Sequence, residues 1–418
     1  MQVAEYLKRF QFQEKRDLFD LEGAQTIVDD VEVGGLRVPR YTNEFWTSRQ
    51  RKAHSLHEIS YRACFKPQLP RFFISLLTDE GDWVYDPFMG RGTTLLEGTL
   101  LGRNVAGNDV SPVARILIEP RLNPPEPAEI SRRLDRIPCR GTGKADIDLA
   151  MFYSPKTESK IVALREYLRR RQAEGTEDQI DKWIRMVATN RLTGHSSGFF
   201  SVYTLPPNQA VSPEAQRKIN AQRSQKPPDR DVFGLIAKKS RSLMRKLTKA
   251  QRVRLARAAE AAKYFCQKAE EPIPLEPGSV NLVVTSPPFL DTVQYAQDNW
   301  LRCWFNAIEP ETVARRITMA RSVSEWAEVM KACLLELRRV LKPLGWIAFE
   351  VGEVRGGKIF LDEVVAPLGA EVGLRCHGIV VNEQQFTKTA NCWGVRNNMA
   401  GTNTNRIVFF RKEAQFLE

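Results

Sequence analysis

A short apolar run that ends in Asp-Pro and opens into a glycine turn constrains the fold of this chain most strongly. Residues 82–88 read DWVYDPF, MGRG follows, and TTLLEGTLLG then has the apolar spacing of a helix. NVAGNDV (104–110) predicts a second strand, after which Ser111 and Pro112 have the chemistry of a helix start. Strand, glycine turn, helix, strand and helix predict the opening of a parallel α/β sheet.

Later segments continue this sheet. VNLVVTSPPF (280–289) predicts a third strand, and GWIAFEVGE (345–353) a fourth, which follows a helix over 330–343. GLRCHGIVVNE (373–383) and TNRIVFFRK (404–412) predict an antiparallel pair at the edge of the sheet. The expected fold class is α/β, with a doubly wound and mostly parallel sheet.

Residues of a different character separate the second strand from the third. A Pro-rich link over 121–130 leads into two helical segments, a Gly/Pro/Ser-rich loop over 193–216 and then basic helices. A loop of that length inside a domain is usually functional or flexible. Phe199 and Phe200 are expected to anchor it in a core. We interpret residues 121–261 as a largely helical insertion.

The positive charge of the chain is concentrated in this insertion. The formal net charge is +12, and residues 214–263 hold 15 Lys and Arg against 4 Asp and Glu. Within 236–257 there are nine cations and no anion. A solvated helix face normally mixes both signs, so the unmixed run favours a polyanion partner over a merely soluble basic helix.

The glycine turn has the composition of a ligand-binding loop. Gly90 and Gly92 let the backbone approach a ligand, and a helix from Thr93 offers free N–H groups. No Lys-Ser/Thr follows the second glycine, which excludes a phosphate loop; a missing third glycine and the acid disfavour a dinucleotide loop. Asp86 suits an ammonium group, and Asp109, at the end of the second strand, suits ribose hydroxyls. Ammonium and ribose in one crevice describe S-adenosylmethionine.

TSPPF (285–289) ends the third predicted strand with a polar rim. Proline cannot pair in a strand ladder, so a backbone carbonyl is expected beside the Ser286 hydroxyl and the Phe289 ring. Such a rim accepts hydrogen bonds from an exocyclic amino group while the ring stacks on the base. Two prolines after a strand are also a common stop signal, so the motif alone leaves both interpretations open.

Together these motifs resemble the exocyclic-amino DNA methyltransferases, which modify cytosine N4 or adenine N6. The resemblance rests on DPFMGRGTT, on Asp109 and on TSPPF, with a looser match at YRACFKPQLPRFFI (61–74). It covers residues 41–115 and 262–412. It implies a class I, Rossmann-like methyltransferase sheet, base flipping, and a separate target-recognition region.

The resemblance also implies roles for individual residues. The expected S-adenosylmethionine contacts are Asp86, Phe88, Gly90, Gly92 and Thr93 at the methionine end and Asp109 at the ribose. The expected catalytic rim is Ser286, Pro287, Pro288 and Phe289, with the first two polarising the amino group and Phe289 stacking on the base. The basic run supplies the expected DNA contacts, Lys238, Lys239, Arg241, Arg245, Lys246, Lys249 and Arg252.

Three regions follow from this interpretation. They are an N-terminal extension (1–40), a catalytic methyltransferase domain (41–120 and 262–418) and an inserted basic target-recognition region (121–261). Double-stranded DNA is the expected partner, and the resemblance leaves a restriction-modification partner open.

We expect neither a metal nor a membrane segment. The seven cysteines are scattered without a CxxC pair, and the four histidines have no ligand spacing. No run of 18 apolar residues occurs, and the charged N-terminus lacks the apolar region of an export signal. The expected location is the cytoplasm.

The target base and the nucleic acid have alternatives. Ser286 at the first place of the rim resembles the cytosine-N4 subgroup, but the cofactor motif precedes the catalytic motif, which is not that subgroup's commonest order. Adenine N6 is therefore the alternative target. DPxxGxGTxxxE, Asp86 to Glu97, also occurs in RNA guanine-N2 methyltransferases. A nucleic-acid-binding relative without activity is the third alternative. No strong general base is evident, and none is required.

Overall fold

The computed structural model of the protein describes residues 3–11, 25–46, 53–61, 64–138, 143–205, 210–289, 295–317, 320, 322–354, 358–383 and 404–414. Its strands are β1 (Ile27–Val33), β2 (Leu36–Asn43), β3 (Trp83–Asp86), β4 (Asn104–Asn108), β5 (Lys263–Phe265), β6 (Val280–Thr285), β7 (Leu341–Val351), β8 (Glu353–Val354), β9 (Ile359–Phe360), β10 (Arg375–Glu383) and β11 (Thr404–Arg411). Its helices are α1 (Val3–Lys8), α2 (Gln68–Leu77), α3 (Thr93–Leu100), α4 (Pro112–Leu122), α5 (Pro127–Asp135), α6 (Pro155–Ala173), α7 (Gln179–Arg191), α8 (Pro213–Gln222), α9 (Val232–Met244), α10 (Lys249–Ala261), α11 (Tyr295–Phe305), α12 (Pro310–Arg316), α13 (Val323–Val340) and α14 (Leu361–Glu371).

Within these residues one large sheet has the strand order β1-β2-β10-β11-β7-β6-β3-β4-β5. The run from β7 to β5 is parallel throughout, and β11 is antiparallel to both of its neighbours. The doubly wound, mostly parallel α/β fold is therefore confirmed. The chain leaves β3 towards β4 and β5 and returns on the other side as β6 and β7. This reversal marks the carboxyl ends of β3 and β6 as the edge where such sheets bind ligands.

The sheet extends further than the sequence predicted. The hairpin of β1 and β2 continues it beyond β10, with Ile379 opposite Arg40 in a parallel pairing. The predicted antiparallel pair, β10 and β11, therefore exists but does not lie at the edge. Residue 40, the predicted end of the N-terminal extension, falls inside β2. The three-residue β5 had no recognisable pattern and was not predicted.

The two faces of the sheet are covered by different helices. α13 and α14 pack on one face with Tyr85 and Phe349, while α1 and α2 pack on the other with Val84 and Val284. The predicted helix over 330–343 begins earlier, at Val323, and ends before β7. Within the described residues no helix is long and apolar enough to cross a bilayer.

The insertion shares its core with the sheet's own helices. One apolar cluster runs from Leu95 on α3 and Leu117 on α4 to Trp183 on α7 and Ile236 on α9. α10 packs against α3, α4 and β4 and leads directly into β5. Phe199 and Phe200 are buried, as expected of core anchors in the long loop. The helices of the insertion are thus continuous with the fold through this core.

Candidate functional site

The two sequence motifs, far apart in the chain, meet at the carboxyl edge of the sheet. β3, which ends at Asp86, lies beside β6, which ends at Thr285, in parallel pairing. The Thr285 hydroxyl donates a hydrogen bond of 2.7 Å to Asp86 Oδ1. The glycine turn and the Ser-Pro-Pro-Phe segment therefore leave the sheet side by side.

Asp86 carries a buried oxygen with no partner. Its Oδ1 also accepts from the Phe88 amide at 3.1 Å, whereas Oδ2 is buried and accepts no regular hydrogen bond from a described residue; the Thr94 hydroxyl, which donates to the Val284 carbonyl, lies near enough to lower the pKa of the carboxyl. Burial raises the pKa of Asp86 to about 7 because the charged form is desolvated. A carboxylate oxygen left unpaired at the end of a strand suits a ligand that brings its own positive charge. Phe88 itself is half-buried and packs against the core beneath.

Asp109 fastens the second strand end to the glycine turn. Its Oδ2 accepts from the Gly90 amide and its Oδ1 from the Ser111 amide, both at 2.9 Å. Burial raises the pKa of Asp109 to about 6, and these two amides partly offset the effect. Each carboxylate oxygen has a second lone pair, so the group remains able to accept from ribose hydroxyls.

The two positions of the turn favour glycine for different physical reasons. Both adopt a positive φ, +47° at Gly90 and +73° at Gly92. A Cβ on Gly92 would lie 2.4 Å from the Ile118 side chain, so glycine here allows α3 to pack against α4. A Cβ on Gly90 would only touch the Tyr61 ring, at 3.6 Å. The role expected of Gly92, close approach of a ligand, is thus accompanied by a packing requirement that the sequence did not indicate.

Two buried arginines stabilise the glycine turn through hydrogen bonds. Arg91 donates to the Ile59 carbonyl at 2.8 Å and to the Thr93 hydroxyl at 3.2 Å. Arg121 donates to the Leu117 carbonyl at 2.7 Å and to the Arg91 carbonyl. The Thr93 side chain therefore faces Arg91. Thr93 could contact a ligand through its backbone amide at the start of α3, where the N-cap provides no side-chain hydrogen bond.

The Ser-Pro-Pro-Phe rim is anchored to neighbouring elements. The Pro288 carbonyl accepts from the Trp326 indole at 2.9 Å, so one of its two lone pairs is already engaged. The half-buried Phe289 ring lies against β7, 2.9 Å from where a Cβ on Gly352 would be. Pro287 is buried and Pro288 is exposed. Glycine at 352 thus leaves the space into which the ring fits.

A buried carboxylate that sequence reasoning missed stands behind Ser286. Glu350 on β7 accepts hydrogen bonds from the Ser286 hydroxyl and, at 2.5 Å, from the Asn405 amide. It is 6% exposed, and burial raises its pKa to about 7. Its signal in the sequence was an acid within the apolar run WIAFEV, a combination that rarely occurs without a buried partner.

The basic helices use several of their cations internally. Lys239 lies 4.0 Å from Glu58, and Arg245 donates to the same carboxylate at 2.6 Å. Lys246 donates to a backbone carbonyl at 2.9 Å, and Arg252 lies 3.3 Å from Glu126. The remaining three predicted DNA contacts are exposed and form no hydrogen bond or ion pair with the described residues: Lys238, Arg241 and Lys249.

Metal-type side chains do not cluster in the described part of the chain. There, no group of three or more His, Cys, Asp and Glu residues lies close enough together to hold a metal ion. The chemistry available at this edge is that of carboxylates, a hydroxyl, backbone amides and an aromatic ring.

Comparison with known proteins adds a family match. A family model described as DNA methylase matches residues 19–118. Type II methyltransferase M.MvaI of Kocuria varians is 36% identical over 91 residues, which are 21% of this chain and 20% of the relative. M.MjaII of Methanocaldococcus jannaschii is 38% identical over 74 residues, 18% of this chain and 14% of the relative. The chain thus spans about a fifth or less of the length of these two relatives.

Solved structures give only a loose likeness. A putative DNA modification methylase from Thermus thermophilus has 18% identity and a TM-score of 0.20 over 35% of this chain and 50% of its own. The rRNA methyltransferase AviRa from Streptomyces viridochromogenes has 13% identity and a TM-score of 0.34 over 88% of this chain and 94% of its own. The fold class stands on the strand order instead.

Proposed function

We propose, from its membership of the DNA methylase family that acts on exocyclic amino groups, that this chain is an S-adenosylmethionine-dependent DNA methyltransferase. The observation that carries the proposal is the 2.7 Å hydrogen bond between Thr285 and Asp86. It holds the cofactor motif and the catalytic motif at one edge, so a methyl donor and a base amino group held there would meet.

The residues at the glycine turn suit S-adenosylmethionine. The unpaired Oδ2 of Asp86 fits its ammonium group, and Asp109 fits the two ribose hydroxyls. Phe88, Gly90, Gly92 and the amides at the start of α3, from Thr93, would line the remainder of its methionine end. S-adenosylmethionine supplies a methyl group on a positively charged sulfur. The protein's part is to orient that group and to exclude water.

The Ser286 rim would hold the flipped base. The hydroxyl of Ser286 donates to Glu350, which leaves its oxygen lone pairs free to accept from the base amino group. Pro287 would support the same contact from the backbone, and Phe289 would stack on the base. The amine nitrogen attacks the methyl carbon while the sulfur–methyl bond breaks, which leaves S-adenosylhomocysteine and releases one amine proton to solvent, so no covalent intermediate with the protein is required.

Cytosine N4 is the target base that we propose. Serine, rather than aspartate, at the first place of the rim supports it. Adenine N6 is the alternative, since the motif order does not follow the commonest cytosine-N4 arrangement. We further propose that residues 121–261 read double-stranded DNA. A restriction partner and a cytoplasmic location stay predictions from the sequence.

The test uses labelled S-adenosylmethionine with duplex DNA or total RNA. We expect label in DNA, on cytosine N4 after digestion to nucleosides. Ser286→Ala should lose turnover and retain cofactor affinity, and Asp86→Ala should lose cofactor affinity. Ser131→Ala is the matched control, because that hydroxyl only donates to the Pro127 carbonyl one turn earlier in α5, at 3.2 Å. Label in RNA alone would contradict the proposal, as would full turnover of Ser286→Ala.

A further inference from the structure

Arg191, at the end of α7, is a buried cation without a counter-ion. Its side chain is buried, with the residue 8% exposed, and its Nε has no hydrogen-bond partner among the described residues. Burial lowers its pKa to about 10, and no carboxylate acts to raise it. Burying an unpaired charge costs several kcal/mol or more, so proteins normally pair such groups.

Two other buried arginines have more hydrogen-bond partners than Arg191. Arg185, on the same helix, lies 2.6 Å from Glu177 and also donates to the Leu168 carbonyl. Arg121 has no carboxylate, but its Nε, Nη1 and Nη2 all donate to backbone carbonyls. Arg191, by contrast, donates from Nη2 to the neutral side-chain oxygen of Asn190, at 2.7 Å.

The guanidinium lies next to the turn Gly194–Gly198, which reads Gly-His-Ser-Ser-Gly. One side of it covers the Phe199 ring at 3.9 Å. Its Nη1 lies 4.0 Å from where a Cβ on Gly198 would be, so a side chain at this position would contact the cation. Ser196 and Ser197 at the tip are exposed. The turn next to the guanidinium thus contains two exposed serines.

A second cation strengthens the positive potential at this turn. Lys239, on α9, is 13% exposed. Its pKa is lowered to about 8 by burial first and by the charge of Arg191 second. Glu58, 4.0 Å from Lys239, offsets part of the Lys239 charge, whereas no carboxylate acts on Arg191, so the uncompensated charge at this turn is that of Arg191.

The position of Arg191 connects it to the glycine turn of the candidate active site. Its neighbour Asn190 donates to the Ser60 carbonyl at 2.9 Å, and Arg302 donates to the same oxygen at 3.1 Å. The next residue, Tyr61, is the one whose ring touches the Cβ position of Gly90. Arg191 is therefore linked to the glycine turn through Asn190 and residues 60–61.

We propose that Arg191 and the Gly194–Gly198 turn bind a backbone phosphate of the DNA. This inference rests on the proposed DNA methyltransferase function. Arginine suits a phosphate because its planar donors match the phosphate oxygens, and contacts of this kind fix the register of a protein on DNA.

The experiment measures DNA affinity against salt concentration for three variants of the full chain. Arg191→Gln should make the negative slope of log K against log salt concentration shallower by about one. The factor by which affinity falls between 50 and 200 mM salt should then be about three- to fourfold smaller than in the wild type. Arg191→Lys keeps the charge and should keep the slope. Arg185→Gln is the control on the same helix: it should lower the melting temperature, since Glu177 loses its partner, without changing the slope.

Gly198→Asp tests the same site without removing the arginine. A carboxylate at this position would lie within reach of Nη1 and occupy the anion site from inside the protein. We expect DNA affinity to fall and the melting temperature to rise, because the buried cation gains a partner. This variant keeps the inference testable if Arg191→Gln does not fold.

Three results would overturn the inference. One is a wild-type slope in Arg191→Gln with a lowered melting temperature, which would make the arginine structural. Another is stabilisation of the wild type by inorganic phosphate, absent in Arg191→Gln, with an unchanged DNA slope, which would indicate a free-anion site. The third is RNA binding that alone depends on Arg191. If one of these results is found while the wild type methylates DNA, only the inference about Arg191 fails and the proposed function stands. If the wild type labels no DNA, the proposed function fails, independently of the Arg191 variants.

Discussion

The affinity of the protein for S-adenosylhomocysteine should depend on pH through Asp86. The pKa of this buried carboxyl is about 7 in the free protein because burial disfavours its charged form. A ligand ammonium at Oδ2 would favour the ionised form, so binding must release the proton that Asp86 holds below pH 7. Affinity is therefore expected to rise with pH through this range.

The size of this change in affinity follows from the pKa values of Asp86 and Asp109. If only ionised Asp86 binds the ammonium, a pKa of about 7 weakens the apparent affinity about elevenfold at pH 6 and about 1.3-fold at pH 7.5. Affinity then rises about eightfold between these pH values. Asp109, with a pKa of about 6, adds a further factor of about two at pH 6. An α-amino group stays largely protonated below about pH 7.5, so the ligand contributes little to this change.

Isothermal titration calorimetry at pH 6, 6.5, 7 and 7.5 in buffers of different ionisation heat measures both the affinity and the protons released. The control ligand is 5′-methylthioadenosine, which has the ribose and the base but no ammonium. It should show only the smaller change from Asp109. Asp86→Asn should bind S-adenosylhomocysteine weakly, without the larger change. Equal pH dependence for both ligands, or none for S-adenosylhomocysteine, would refute the assignment of the ammonium to Asp86.

Further outcomes test the catalytic rim, the basic helices and the buried acid. Glu350 has a pKa of about 7, so kcat should rise through pH 7 as Glu350 ionises and orients the Ser286 hydroxyl. Glu350→Gln should lower kcat and flatten that rise. A rise retained in this variant would contradict the role of Glu350 in orienting Ser286. Neutralising the three exposed cations should lower the salt slope of DNA binding by up to about three, whereas Arg257→Gln, exposed on the far part of α10, should not. Those three cations are Lys238, Arg241 and Lys249. In thermal denaturation without ligand, Asp86→Asn should gain more over the wild type at pH 7.5 than at pH 5.5, by on the order of 2 kcal/mol; an equal difference at both would contradict the raised pKa.

Local sequence patterns predicted the sheet wherever a strand ended in recognisable chemistry. β3 and β6 carry Asp-Pro and Ser-Pro-Pro at their ends, and both strands lie where the pattern placed them. β5 has three residues and no punctuation, so it competes poorly with a loop. The hairpin over residues 27–43 alternates acids with valines and reads equally well as a solvent-exposed ribbon; its pairing with β10 depends on contacts more than 300 residues away.

The candidate site divides in the same way. Asp86, Asp109 and Ser286 could be recognised because a polar residue at a strand end is a local signal. For Glu350 the local signal, an acid within the apolar run WIAFEV, indicates a buried partner but does not identify it as Ser286, which follows the neighbouring strand. The charge run likewise gave the sign of the surface but not its use: Glu58, almost 200 residues away, neutralises Arg245 through a contact that no pattern in the run reveals.

The acids of this edge share one thermodynamic property that links stability to function. Asp86 and Glu350 have a pKa of about 7 and Asp109 a pKa of about 6, whereas in an unfolded chain all three ionise near pH 4. Between those values the folded protein binds more protons, so the contribution of these groups to the free energy of unfolding falls as the pH rises from about 4 to about 7. Near neutral pH the free site is therefore destabilised by its own buried charges. A ligand ammonium would offset the cost of burying the ionised Asp86. Ligand binding is therefore expected to stabilise the folded protein most near neutral pH, where these acids are ionised. A site preorganised for a cationic ligand would be built in this way, at a cost that the rest of the core has to offset.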